Sequence, residues 1–209
     1  MMVYLSLILR QGHVMDARES EASGIVFSKE VPPQKDKLHG HIAAASQKVT
    51  EEQLAEIYRR TVHLYELKDN VSLCEIKAIS EEILHAPQKG WTLVGIKTTF
   101  GSNVVPGATV ALRDPSGKVI IAESVGDSST EAVWLAIQKA TGLHVFLHDF
   151  TYGNITSGSS ALGRASVQIE HHGRMVNSHA YSVDIIEAGA KAFLYAVNKV
   201  LEQIKHQSR

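Results

Sequence analysis

Val183-Asp-Ile-Ile-Glu-Ala-Gly-Ala-Lys-Ala-Phe-Leu-Tyr-Ala-Val-Asn-Lys-Val-Leu-Glu-Gln-Ile204 is the stretch whose reading decides the fold. Ile185, Gly189, Phe193, Ala196, Val200 and Ile204 recur at three- and four-residue steps, which places them on one face of a long amphipathic helix. Ser182 precedes it as an acceptor for the first free backbone N–H groups. Asp184 and Glu187 fall in the first turn, where carboxylates suit the positive end of the helix. Gly189 and Ala192 are small, so the buried face is expected to lie close against a sheet.

A second copy of this stretch turns a packing helix into half of a repeat. Glu131-Ala-Val-Trp-Leu-Ala136 matches Glu187-Ala-Gly-Ala-Lys-Ala192, 56 residues later. Upstream, Ala108-Thr-Val-Ala-Leu-Arg-Asp-Pro-Ser-Gly117 parallels Ala165-Ser-Val-Gln-Ile-Glu-His-His-Gly173. The offset there is 57 at the alanine and 56 at the glycine, a difference of one residue in the turn. An internal repeat dictates architecture. Two copies are too few for a solenoid and suit one domain with pseudo-two-fold symmetry.

The 209 residues carry a formal net charge of −1 and 44% apolar residues, enough to bury a core. Near-neutral charge argues against nucleic acid or a membrane surface as partner. The single Cys74 cannot form an internal disulfide, which fits a cytoplasmic setting. Val3–Leu9 is too short for the apolar core of a signal peptide, and no run approaches a membrane span.

Residues 1–46 read as an irregular leader, broken at Val31-Pro-Pro33. Residues 47–89 read as a helical hairpin. Thr50-Glu-Glu-Gln53 and Ser72-Leu-Cys-Glu75 both fit capping boxes. Leu54, Ile57, Thr61, Leu64 and Tyr65 form one apolar stripe, and Leu73, Ile76, Ile79 and Ile83 the other, with Asp69-Asn70 as the turn. Cys74, on the second helix, is expected to be packed. From Trp91 the period switches to two. Strands are predicted at 91–100, 108–114 and 118–123, then a helix at 129–141. The pattern repeats with strands at 143–152, 162–170 and 174–181 before the final helix. This is an α+β chain whose residues 90–209 hold two βββα units, 90–142 and 143–209, with antiparallel sheets each backed by a helix.

These residues resemble the C-terminal regulatory domain shared by 2-isopropylmalate synthase and citramalate synthase. The resemblance is carried by Gly126-Asp-Ser-Ser-Thr-Glu-Ala-Val-Trp-Leu-Ala-Ile137, by Ser160-Ala-Leu-Gly163, by Trp91-Thr-Leu and by Ser182 through Lys199. Residues 49–86 are similar to the family's small helical linker. The resemblance implies a homodimer and a feedback site for a branched-chain amino acid, leucine first. It implies effector contacts at Gly126, Asp127, Ser128, Thr130, Glu131, Leu147, Phe150 and Asn154. The family's metal-bearing catalytic barrel has no counterpart in 1–46, so this chain is expected to lack acyl transfer of its own and to carry no metal or cofactor. Two departures stand out: Ser128 replaces a family glycine, and Asn177–Ser182 replaces a Gly-x-Gly stretch. The alternatives are a structural dimerisation module with a decayed effector site, and a regulatory subunit for a separate barrel-bearing synthase.

An amino-acid effector needs donors for its carboxylate, acceptors for its ammonium and an apolar pocket. The turn at Gly126–Thr130 opens a helix, so its free N–H groups suit a carboxylate. Asp127 or Glu131 suits the ammonium, while Leu147, Phe150 and Ile155 suit the wall, with Asn154 as a polar contact. The histidines do not form a metal template. His144 and His148, on one strand, would stand roughly 13 Å apart. His39-Gly-His41 has no partner carboxylate at helical spacing, and His171-His172 sits in a turn. Ser157, Ser159 and Ser160 share a loop without a nucleophile elbow.

Overall fold

The period switch at Trp91 and the 56-residue repeat both appear in the computed structural model, which describes residues 24–44, 49–87, 90–158 and 160–207. In chain order the elements are β1 (Ile25–Phe27), α1 (Lys35–Ala44), α2 (Glu51–Lys68), β2 (Val71–Ser72) and α3 (Leu73–His85). Then come β3 (Thr92–Thr99), β4 (Gly107–Arg113), β5 (Val119–Val125) and α4 (Ser129–Thr141). The last four are β6 (Phe146–Asn154), β7 (Gly163–His171), β8 (Arg174–Ser182) and α5 (Ile185–Gln207). The chain divides into two units, residues 1–77 and 78–209, with the division inside α3 rather than at the expected 89/90 boundary.

In the first unit, the expected irregular leader is corrected over its described part. Ile25–Phe27 pairs antiparallel with Val71–Ser72, and Lys35–Ala44 is helical. The two prolines confine their break to the loop between them. Beyond it, Leu38 and Ile42, four apart, are buried. Both capping boxes form. Thr50 Oγ1 accepts from Gln53 N at 3.2 Å while Gln53 Oε1 accepts from Thr50 N at 3.0 Å. Glu75, fully buried, accepts from Ser72 N at 2.9 Å and from the Lys68 ammonium at 2.6 Å. Cys74 is exposed, against the expectation that it packs, because the buried stripe of α3 runs through Ile76, Ile79 and Ile83.

The second unit is built from two three-stranded antiparallel sheets, β3-β4-β5 and β6-β7-β8. Both begin with a bulged strand: the register shifts between Leu93 and Gly95 in one sheet and between Leu147 and Asp149 in the other. Opposite them, Thr98 faces Ala108 and Tyr152 faces Ala165, the alanine pair seen in the sequence repeat. The two tight turns end on Gly117 and Gly173, both at positive φ. Alternation sets the inner faces. Ala108, Val110 and Leu112 of β4 and Ala165, Val167 and Ile169 of β7 are buried in one core with Ala132, Ala136 and Ile137 of α4 and Ala192, Phe193 and Ala196 of α5.

Two boundaries move for local reasons. Gly142 caps α4 at φ 69, and Gln138 Oε1 accepts from Val145 N at 2.8 Å, so β6 starts at Phe146 and His144 precedes it. His148 pairs instead with Glu170. At α5 the cap is Asp184, not Ser182: Asp184 Oδ1 accepts from Glu187 N at 2.9 Å, while Ser182 Oγ accepts from Asp184 N. Among the described residues no group of histidines, cysteines or carboxylates is arranged to hold a metal ion, and no helix is long and apolar enough to cross a membrane.

Two buried polar groups tie distant segments together. Asn198 on α5 accepts from Trp91 N and donates to Trp91 O, both at 2.8 Å. Glu82 of α3 accepts from Tyr181 N at 2.6 Å and from the Tyr195 hydroxyl at 3.0 Å. Asn198→Ala leaves both Trp91 backbone groups without their partner, so urea unfolding should show a loss of about 1–3 kcal/mol. Burial, and then the charge of Glu81, push Tyr181 up to about 12. The folded state therefore holds this proton more tightly, giving stability that is present below pH 10 and lost as pH rises toward 12. In thermal scans across that window, Tyr181→Phe should lose less stability than the parent chain.

Candidate functional site

The two helix starts use the same chemistry 56 residues apart. At α4, Ser128 takes an extended conformation and its Oγ accepts from Glu131 N at 3.1 Å. Glu131 Oε2 reaches back to accept from Asp127 N at 2.6 Å. At α5, Asp184 takes the place of Ser128, and Glu187 Oε2 accepts from the Ser182 hydroxyl at 2.8 Å. At α4 the reciprocal bonds satisfy two backbone N–H groups, whereas at α5 only the Glu187 N–H is met this way and the Glu187 carboxylate takes a hydroxyl instead. Gly126 is needed because the strand end presses onto the helix. A Cβ there would stand 2.8 Å from Ala132 N.

The expected site residues fall into three groups. Gly126, Asp127, Ser128, Thr130 and Glu131 form one continuous turn, with the Asp127 and Ser128 side chains exposed. Leu147 and Phe150 are half-buried on the inner face of β6 and pack against the core. Asn154 is exposed at the far end of that strand, opposite Gly163. Thr130 and Phe150 meet through Gly189 of α5. A Cβ at Gly189 would stand 3.3 Å from Phe150 Cε2 and 3.7 Å from Thr130 Cγ2.

That meeting point is aromatic. Phe150 stands edge-on to Trp134, ring centroids 5.1 Å apart, and Trp134 stacks on Phe193 at 5.8 Å. The Trp134 indole N–H donates to Gly189 O at 3.4 Å. Nearby, burial and then the negative charge of Asp184 raise the pKa of Tyr152 above the ordinary phenol value. On the outer face of β8, burial, helped by Arg164, lowers the pKa of His179 despite Glu81 at 3.5 Å. His179 therefore stays neutral to lower pH than a free imidazole.

The repeat also marks a place that reasoning from the first helix start alone missed. Bulge for bulge, Leu93 corresponds to Leu147, Ile96 to Phe150 and Phe100 to Asn154. Beside β3, a cavity of about 700 Å³ is lined by Leu93, Ile96 and Phe100 and by Asp184, Ile185 and Lys191 of the α5 start. It lies where the symmetry operation carries the expected site. The 56-residue offset was the signal for it. Nothing in the periodicity says which copy is left open, because that depends on whether isoleucine or phenylalanine fills the inner face.

Gly189→Val should disturb the aromatic contact. The added atoms press on a phenylalanine packed against a core, so a loss of about 1–3 kcal/mol and a shift in tryptophan emission are expected in denaturation followed by fluorescence.

Comparison with known proteins places this arrangement in a family. The LeuA allosteric (dimerisation) domain matches residues 70–201. The chain is 35% identical over 154 residues to a 2-isopropylmalate synthase of Carboxydothermus hydrogenoformans, covering 73% of this chain and 30% of that protein. It is 34% identical over 150 residues to a 2-isopropylmalate synthase of Clostridium kluyveri, covering 71% and 29%. With that of Sediminispirochaeta smaragdinae it shares 31% over 165 residues, covering 79% and 32%. The matched part is thus about a third of the length of these curated relatives.

Proposed function

Because the chain belongs to the LeuA allosteric (dimerisation) domain family, we propose that it binds a branched-chain amino acid, leucine first among them, and relays its presence to a 2-isopropylmalate synthase barrel. The barrel would be carried on the same protein or on a separate subunit, with the module itself paired as a homodimer. The proposed effector seat comprises Gly126, Asp127, Ser128, Thr130 and Glu131 at the start of α4, with Leu147, Phe150 and Asn154 along β6.

The observation that carries this reading is the Thr130–Gly189–Phe150 contact. A ligand held at the α4 start lies next to the point where α4, α5 and β6 touch. Its side chain would compete with or brace the Phe150 ring, and any displacement would pass directly to the backbone of α5. Such a ligand shifts an equilibrium only as far as its affinity differs between the two packings. Exposed apolar residues on the sheets away from the β3 groove, Ile121, Val125 and Phe146 among them, support pairing with a second copy.

Titrating the full chain with leucine, isoleucine and valine in a calorimeter tests the reading. Leucine should give the largest heat. At about a hundredfold excess over its dissociation constant it should add about 2.7 kcal/mol of stability, seen as a rise in Tm. No heat and no thermal shift with any of the three would overturn it. Ser128→Gly separates an active seat from a decayed one, because a decayed seat gains leucine binding when the family glycine is restored.

A further inference from the structure

The two halves of the repeat differ where they should be alike, and the difference leaves a groove. On the inner face of β6 the ring of Phe150 packs against Gly189 and Trp134. At the matching place on β3 stands Ile96, a smaller side chain, and the space beside it is the cavity of about 700 Å³. Its apolar lining is Leu93, Val94, Ile96, Phe100, Ile185 and Ile186. Its charged lining is Glu187 and Lys191, paired at 2.5 Å, together with Asp184. The counterpart of Lys191 in the α4 copy is Leu135, so of the two helix starts the one at α5 carries the basic side chain beside its acidic turn.

We propose that the groove between β3 and the first two turns of α5 is a second seat for a zwitterionic amino acid with an apolar side chain. The side chain lies along Leu93 and Ile96. The ligand carboxylate takes the Lys191 ammonium, and the ligand ammonium takes the Glu187 carboxylate, so the ligand replaces the Lys191–Glu187 pair with two pairs of its own. Wall and charge both suit such a ligand, since small-molecule sites are mainly apolar with a few placed polar groups. A purely apolar compound would leave the ion pair unused, and a bare anion or cation would meet one wrong sign. The proposal rests on the reading that the module binds amino acids, and it adds a site whose lining, apart from Ser129 at the first helix start, comes from β3, Phe100 just after it and the start of α5.

The test is calorimetry on the full chain with leucine, with leucinamide, which lacks the carboxylate, and with 4-methylpentanoate, which lacks the ammonium. Three proteins are compared: the parent, Ile96→Phe, which places in β3 the ring that β6 already carries, and Lys191→Leu, which copies Leu135. The parent should bind two leucines per chain. Ile96→Phe should bind one. Lys191→Leu should weaken one of the two sites at least tenfold, and both truncated ligands should lose that site in the parent. If the parent binds a single leucine that Ile96→Phe abolishes, the groove is still a seat and the α4 seat is the one that fails. If stoichiometry and affinity are the same in all three proteins, the groove proposal is overturned while the wider reading stands. If no protein gives heat with any branched-chain amino acid, both are overturned. Sedimentation of the same variants reads the remaining outcome. A dimer that dissociates in Ile96→Phe, with leucine titration unchanged, would mean that the groove holds a second copy, and that overturns the proposal.

Discussion

A three-stranded sheet with one apolar face cannot stand alone in water, and two such sheets here share two helices to cover them. The shared cover works only if the helices approach closely, and they do so at Gly189. Its missing side chain admits the ring of Phe150 on one side, and its carbonyl takes the indole N–H of Trp134. The run Ala188-Gly-Ala190, with Ala192 and Ala196, keeps the rest of that helix face thin. A bulky residue in this run would push helix from helix and uncover both sheets together. The close packing of interiors leaves no slack to absorb the change.

Around that contact, buried polar groups fix how distant segments sit. Asn198 holds the first residue before β3 by both its backbone groups, across 107 positions of sequence. Glu82 holds the end of β8 and Tyr195 of α5 across 99 and 113 positions. Each is nearly inaccessible to water, and each would be costly if its partners moved away. They allow one arrangement of β3, β8 and α5 and penalise slipped alternatives, which hydrophobic contacts alone do less sharply.

The repeat gives the module symmetry, and a few substitutions break it. Serine caps one helix and aspartate the other. Phenylalanine fills the inner face of β6, and isoleucine leaves space on β3. A lysine follows the acidic turn in one copy and a leucine in the other. In a pseudo-symmetric pair, such differences are the means by which two similar surfaces acquire different ligands, or one ligand with different strengths. The helix starts themselves remain occupied by their own carboxylates. A ligand there must displace or supplement bonds that already satisfy the turn.

Much of the second unit was legible before any coordinates. The alanine and glycine landmarks at 108, 117, 165 and 173 set register and turns, and periodicity located six strands and two helices to within a few residues. These features are local, and side chains three, four or two positions apart report them directly. The errors were also local in origin: Asp184 outcompetes Ser182 as a cap, Gln138 holds back the start of β6, and Leu38 with Ile42 makes a helix in a stretch judged by its prolines. What the chain by itself determined is therefore the pair of βββα units and the chemistry of their helix starts. Tertiary structure alone decided that Glu82 and Asn198 become buried anchors, that Phe150 meets Gly189, and that the open groove lies beside Ile96. Those outcomes depend on which groups meet across a hundred residues or on how much volume is left once they have met, and no short window of sequence contains either quantity.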